Sequence, residues 1–140
     1  LDFQALVEIY CVEPKMIEHV WPLVEPMLAS AFERQRSDST LAAIEYDLRH
    51  ALQLLWIASN GAAIVAAATT ELCLVPAGKI CSITAAAGVN TRLWDQFMPM
   101  VERYARAEGC SSLRVSGRPG WKRVLRDFDE PWITLNKDLA

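Results

Sequence analysis

The chain begins on an alternation. In "FQALVEIYCV", Ala5, Val7 and Ile9 alternate with Leu6, Glu8 and Tyr10. A period of two predicts a β-strand, which Pro14 ends. The period then changes: Ile17, Val20, Trp21, Val24, Met27, Leu28, Ala31 and Phe32 recur at three- and four-residue steps. That spacing lines one face of a helix from about Lys15 to Glu33. Pro22 and Pro26 lie inside it, so a kink or a split is expected. "RQRSDST" reads as a polar loop with Ser39 as N-cap. A second helix, about Thr40 to Leu52, buries Leu41, Ile44, Leu48 and Ala51.

The stretch "LLWIASNGAAIVAAATTELCLVPAGKICSITAAAG" is largely apolar and carries two turn signals. Asn60-Gly61 between apolar runs is the strongest short hairpin signal, and "PAG" supplies the next turn. Three antiparallel strands follow, at about 53–59, 62–75 and 79–87. A three-residue loop at Pro76 to Gly78 would set Val75 against Lys79 and Cys73 against Cys81, with their Cβ atoms about 4.5–5.5 Å apart. Alanines at 62–68 and 85–87 either leave room for something against the backbone or pack tightly under a helix.

A helix over about Thr91 to Glu108 then places Leu93, Trp94, Phe97, Val101, Tyr104 and Ala105 on one side. Asn90 or Thr91 caps it, Pro99 bends it and Gly109 ends it. "SSLRVS" is a fifth strand, "RPGWKRVLRDF" a short helix with Pro119 in its first turn, and "PWITLNKDL" a closing strand. The order β-α-α-β-β-β-α-β-α-β, without repeat or linker, predicts one α+β domain over residues 1–140.

At 140 residues, 52% apolar and 22% charged, the composition is that of a soluble globular domain. No apolar run approaches the roughly 20 residues of a membrane span, and "LDFQALVEIY" has no signal-peptide core. Cytoplasmic residence and no membrane partner are expected. The net charge of −3 divides unevenly: residues 1–87 carry 10 acidic and 5 basic side chains, and residues 88–140 carry 7 and 9. Arg114, Arg118, Lys122, Arg123 and Arg126 form a basic run without an acid, either a solvated face or a lure for an anionic ligand. The acidic total and the lack of an aromatic-interleaved basic motif argue against nucleic acid. Cys11, Cys73, Cys81 and Cys110 make no CxxC pair, and His19 and His50 lie on separate helices, so no metal site is expected. The cysteines read as buried small hydrophobes.

One stretch carries candidate chemistry. In "KICSITAAAGVNTRLWDQ" a strand runs into Gly88 and a helix then opens. A helix N-terminus presents unpaired N–H groups and a positive dipole end, a ready cradle for a phosphate. Gly88 permits close approach of backbone to such a group, and Arg92 adds charge. Glu71, late in its strand, is the candidate general base if its carboxylate faces the cleft. Ser82, Thr84 and Ser116 are strand hydroxyls, and no nucleophile–histidine pair is present.

On "LLWIASNGAAIVAAATTEL", "WDQFMPMVERYARAEGCSSLRV" and "GWKRVLRDFDEPWITLNKDL", the chain resembles the GNAT superfamily of acyl-CoA-dependent N-acetyltransferases along essentially its whole length. In "EGCSSLRVSGRPGW" it also resembles small GNAT-like proteins encoded by bacteriophages. The resemblance implies a mixed, mostly antiparallel central sheet flanked by helices. It implies acetyl-CoA as the acyl donor and an amine acceptor. Ala85, Ala86, Ala87 and Gly88 would run along the pantetheine arm, with Asn90, Thr91 and Arg92 near the phosphates and Glu71 as base.

The pyrophosphate loop departs from the family pattern. Where the family has an Arg or Gln and then Gly-x-Gly or Gly-x-Ala, this chain has "AAAGVNTRLW", so the loop is degenerate. The short helix that in many members carries a proton-donating tyrosine has only Trp121 and Phe128 as aromatics. Two readings therefore stand. One is an N-acetyltransferase. The other is an inactive GNAT-fold binding or assembly module, with a protein partner, as a phage structural or accessory protein associated with the virion. Homo-oligomerisation through strand edges is compatible with both.

Overall fold

The computed structural model describes residues 7–33, 39–88, 91–117 and 120–139. The expectations for Ala5 and Leu6, for the loop at 34–38, and for Val89, Asn90, Arg118 and Pro119 lie outside the described residues.

Alternation yields strand β1, Glu8–Val12, and a 3-10 turn at Pro14–Met16 leads into helix α1, Ile17–Glu33. The helix runs unbroken through Pro22 and Pro26, against the expected split. Both prolines face solvent, where water can satisfy the carbonyls that lose an N–H partner. Helix α2, Leu41–Arg49, is capped by Thr40 rather than Ser39: the Thr40 hydroxyl accepts the Ala43 N–H at 3.1 Å. It stops short of Leu52. Ala51 turns to φ +58 and the Leu52 N–H returns to the Asp47 carbonyl at 2.8 Å, which leaves Ala51 and Leu52 exposed.

Strands β2 (Leu54–Ser59), β3 (Ile64–Val75) and β4 (Gly78–Gly88) form the expected meander. Asn60 shapes the first turn, its Oδ1 accepting the Ala62 and Ala63 N–H groups, each at 2.9 Å. The second turn is tighter than expected. Gly78 already pairs with Val75, so the loop is only Pro76-Ala77. A one-residue change of register moves every partner. Cys73 therefore lies opposite Ile80 and Cys81 opposite Leu72, and the expected Cys73–Cys81 cross-strand pair is not formed.

Helix α3, Trp94–Ala107, continues through Pro99, and β5, Ser112–Val115, follows. Gly109 at φ +79 ends α3: the Cys110 N–H reaches back to the Ala105 carbonyl at 2.9 Å, a closure that favours a residue without a Cβ. The sheet order is β1-β2-β3-β4-β5, with β4 and β5 parallel and the other pairs antiparallel.

Both faces of the sheet are covered. Ile17, Trp21, Val24 and Leu28 of α1 and Ile44 and Leu48 of α2 pack on Val12, Leu55, Ala67 and Ala85. On the other face Trp94, Phe97, Val101 and Ala105 of α3 pack on Trp56, Ala58, Ala66, Ala68 and Cys81. Ala66, Ala67 and Ala68 are thus clamped between helices, and close packing accounts for their size. Strands buried on both faces also explain a near-continuous apolar run in place of strict alternation.

The chain's end corrects two expectations. Helix α4 is a single turn, Trp121–Val124, and "PWITLNKDL" is not a strand. Trp132, Ile133, Leu135 and Leu139 there are exposed. Apolar alternation alone does not make a strand when no ladder takes up its backbone groups.

Candidate functional site

The parallel pairing of β4 with β5 ends at Ile83 and Val115, yet β4 continues to Gly88, where among the described residues it pairs with β3 alone. Five residues, Thr84 to Gly88, therefore keep one edge outside the β4–β5 ladder. At about 3.3 Å per residue this edge is roughly 16 Å long. In an antiparallel pair alternate residues direct their N–H and C=O groups away from the partner strand. Such groups need partners from water or from an extended ligand laid along the edge. Ala85, Ala86, Ala87 and Gly88 all lie on this stretch, as the sequence places them.

The departure begins at an irregularity. The β3–β4 register shifts between Thr69 and Thr70, which oppose Ala85 and Ile83, so Thr84 has no residue opposite it. A bulge of this kind bends and twists the strand that carries the extra residue.

Gly88 has a packing reason. A Cβ built there would meet the Ala66 Cβ at 3.0 Å and the Val65 carbonyl oxygen at 3.6 Å. The close neighbour is strand β3, so the missing side chain is accounted for without a phosphate. Beyond it, Thr91–Leu93 form a 3-10 turn that runs into α3. The α-helical start has no side-chain cap, and Asp95 stands in its first turn. Leading amides of such a turn lack intrahelical acceptors, whereas the Asp95 carboxylate offsets the positive dipole end. Arg92 is exposed on the turn. Thr91 opens the turn, and Asn90 lies outside the described residues.

Glu71 is half-buried on β3 opposite Ser82, which in turn pairs with Arg114 of β5. A carboxylate, a hydroxyl and a guanidinium thus share one row across three strands, two positions before the free edge begins. Glu71 therefore lies across from the part of β4 that still pairs with β5, and the Ala85–Gly88 edge lies beyond it. The Arg114 guanidinium lies 4.6 Å from the Trp132 ring, and Lys122 pairs with Glu130 at 2.5 Å. Sequence spacing alone brings neither Arg114 to this row nor Trp132 to Arg114.

Helix α4 carries no tyrosine. Among the described residues, Tyr10 and Tyr46 are exposed on β1 and α2, and Tyr104 of α3 packs edge-on to Trp56 at 5.4 Å. Burial, and then the Glu108 charge, push the Tyr104 hydroxyl up to about 12. It therefore stays protonated at neutral pH, but it stands against β2, two strands from the free edge. A cleft of about 180 Å³ between α3 and α4 is lined by Trp94, Met98, Val124 and the carboxylates of Asp95, Glu102 and Asp127. That lining does not suit a polyanion. No helix among the described residues is long and apolar enough to cross a membrane, and no group of three or more His, Cys, Asp or Glu side chains there could hold a metal.

No family model matches the sequence, and no curated protein matches it. Solved structures do match in fold. A predicted acetyltransferase from Clostridium acetobutylicum, solved with acetyl-CoA, is 15% identical over 93% of this chain and 96% of its own, with a TM-score of 0.68. An aminoglycoside acetyltransferase from an uncultured soil metagenomic sample, solved with trehalose, is 11% identical over 99% of this chain and 100% of its own, with a TM-score of 0.71. A ribosomal-protein-alanine N-acetyltransferase from Brucella melitensis biovar Abortus 2308 is 11% identical over 96% of this chain and 99% of its own, at 0.66. The fold is therefore that of the GNAT-like acetyltransferases: a five-stranded mixed sheet flanked by helices.

Proposed function

We propose that this chain is an acyl-CoA-dependent N-acetyltransferase with a degenerate pyrophosphate loop, using acetyl-CoA and an amine acceptor. The observation that carries the reading is the edge of β4 from Thr84 to Gly88, which runs past the β5 ladder and ends three residues before the 3-10 turn that opens α3. Acetyl-CoA, when bound, supplies an activated acyl group. The pantetheine arm is an extended, amide-bearing chain and fits that edge: backbone groups of Ala85, Ala86, Ala87 and Gly88 would hold it. The diphosphate would rest on the amides near Asn90 and Thr91, with Arg92 adding charge.

Transfer needs the amine held against the acyl carbon and an acceptor for the amine proton. Glu71 is the proposed base, in the row it shares with Ser82 and Arg114. The absence of a tyrosine on α4 leaves proton return to solvent.

Calorimetric titration with acetyl-CoA tests this. Binding is expected, and Arg92→Ala should weaken it by about 1–3 kcal/mol, the worth of a hydrogen bond to a charged group. Absence of both heat and thermal shift at millimolar ligand would remove the enzymatic reading. Unchanged affinity in the variant would remove Arg92 from the site.

The second reading is a GNAT-fold binding or assembly module, phage-encoded or virion-associated. The exposed Trp132, Ile133 and Leu135, the first of them under Arg114 of the edge strand β5, favour it, as a surface for a protein partner or a second copy. Failure of the titration, together with a concentration-dependent sedimentation coefficient, would select it.

A further inference from the structure

At the start of the free edge of β4, a part-buried chain of side-chain hydrogen bonds joins Thr84 to α2, and the site described above makes no use of its hydroxyls. Gln53 is 5% exposed and Thr69 fully buried. The Gln53 side-chain amide donates to Asp47 Oδ2 at 3.0 Å, and its carbonyl accepts from the Thr84 hydroxyl at 2.6 Å. The Thr69 and Thr84 hydroxyl oxygens are 2.6 Å apart. Each hydroxyl has a single proton. The Thr84 hydroxyl reaches the Gln53 carbonyl at 2.6 Å and the Thr69 backbone carbonyl only at 3.3 Å, so its proton goes to Gln53 and Thr69 donates to Thr84. Every donor then points one way, Thr69 to Thr84 to Gln53 to the Asp47 carboxylate. A chain of aligned donors that ends on a charge polarises and strengthens itself.

Its position is specific. Thr84 is the unopposed residue of the bulge and the first β4 residue past the β5 ladder. On the opposite face of the sheet the Trp56 indole N–H donates to the Thr70 hydroxyl at 3.0 Å. The two threonines flanking the register shift are thus tied down from both faces, one toward α2 and one toward β2. Asp47 is fixed in turn, its backbone carbonyl accepting N–H groups from His50, Leu52 and Gln53.

We propose that Asp47, Gln53 and Thr84 are positioning residues that hold the half of β4 beyond the β5 ladder in place for acyl-CoA, by tying the bulge to the end of α2. The assignment of a ligand rests on the acyl-CoA reading; the lock itself does not. A strand freed from one neighbour has lost half of its ladder, and a polar tie at the branch point replaces part of that restraint. Thr84→Val keeps the shape and removes the hydroxyl, Gln53→Leu removes the link to Asp47, and Thr84→Ser restores the hydroxyl.

Amide hydrogen exchange of the unliganded protein and acetyl-CoA calorimetry are measured on the full chain and on these three variants. Thr84→Val and Gln53→Leu are expected to lower the protection of Ala85–Gly88 amides about tenfold more than that of β2 amides, and to weaken acetyl-CoA binding about tenfold, as loss of a link in the chain allows. Thr84→Ser should restore both. Wild-type protection and affinity in Thr84→Val would overturn the proposal. So would a fall in protection spread evenly over the sheet with affinity unchanged, which would show a merely structural hydroxyl. If the wild type binds no acetyl-CoA, the acyl-CoA reading fails, and the local loss of protection at Ala85–Gly88 still decides the lock.

Discussion

Gly88→Ala separates the packing account of Gly88 from a ligand account. The Gly88 backbone lies outside the positive-φ region, so alanine is conformationally admissible there. The cost is steric. The new methyl would sit 3.0 Å from the Ala66 Cβ, where methyl groups prefer about 3.5–4.0 Å. Ala66 is fully buried and its Cβ cannot rotate aside, so two strands must part. Overpacking of this kind costs about 1–3 kcal/mol. Lower entropy of the unfolded alanine chain offsets about 0.4–1 kcal/mol of it. The net loss is then about 1–2 kcal/mol, a fall in Tm of roughly 3–10 °C for a domain of this size.

Ala66→Gly removes the opposing methyl and should absorb the clash. Urea unfolding of both single variants and the double variant, at unchanged m-value, gives the coupling. We expect the double variant to be about 1–2 kcal/mol more stable than the sum of the singles predicts. Additivity within about 0.5 kcal/mol would show that Ala66 does not dictate the glycine. In that case the reason for Gly88 would have to be sought in whatever approaches it from the free edge.

Thr70→Val preserves shape but leaves the Trp56 indole N–H, 4% exposed as a residue, without its partner. A loss of about 1–3 kcal/mol is expected in urea unfolding, and a change below about 0.5 kcal/mol would mean the bond contributes nothing net. Cys81, buried against α3, has its thiol pushed from 9.0 up to about 11, mainly by burial. A raised folded pKa favours the protonated fold, so this contribution is complete below pH 9 and is lost as pH rises from 9 to 11. Stability should fall by about 1–2 kcal/mol over that window once solvent screening is allowed for, and Cys81→Ala should flatten it. A pH profile identical in the variant would remove Cys81 as the cause.

Much of the fold is legible in local pattern, because local pattern reports which face of an element meets a core. The stripe from Ile17 to Leu28 and that from Leu93 to Ala105 each became a helix packed on one side of the sheet. Asn60-Gly61 and Pro76–Gly78 placed both turns of the meander. The second turn is one residue shorter than the pattern predicts. Loop length depends on which residue first joins the ladder, and that is a property of two strands together. The same limit explains the closing segment, whose apolar alternation has no ladder to join.

The candidate site divides along the same line. A strand running through Ala85–Gly88 into a helix start could be read from the residues in order. That β5 leaves β4 at Ile83, that Gly88 lies against Ala66, and that Thr84 is tied to Gln53 and Asp47 could not, since each joins positions far apart in the chain. Periodicity records burial one residue at a time, whereas register, strand divergence and hydrogen-bond partners are set only when separate segments meet.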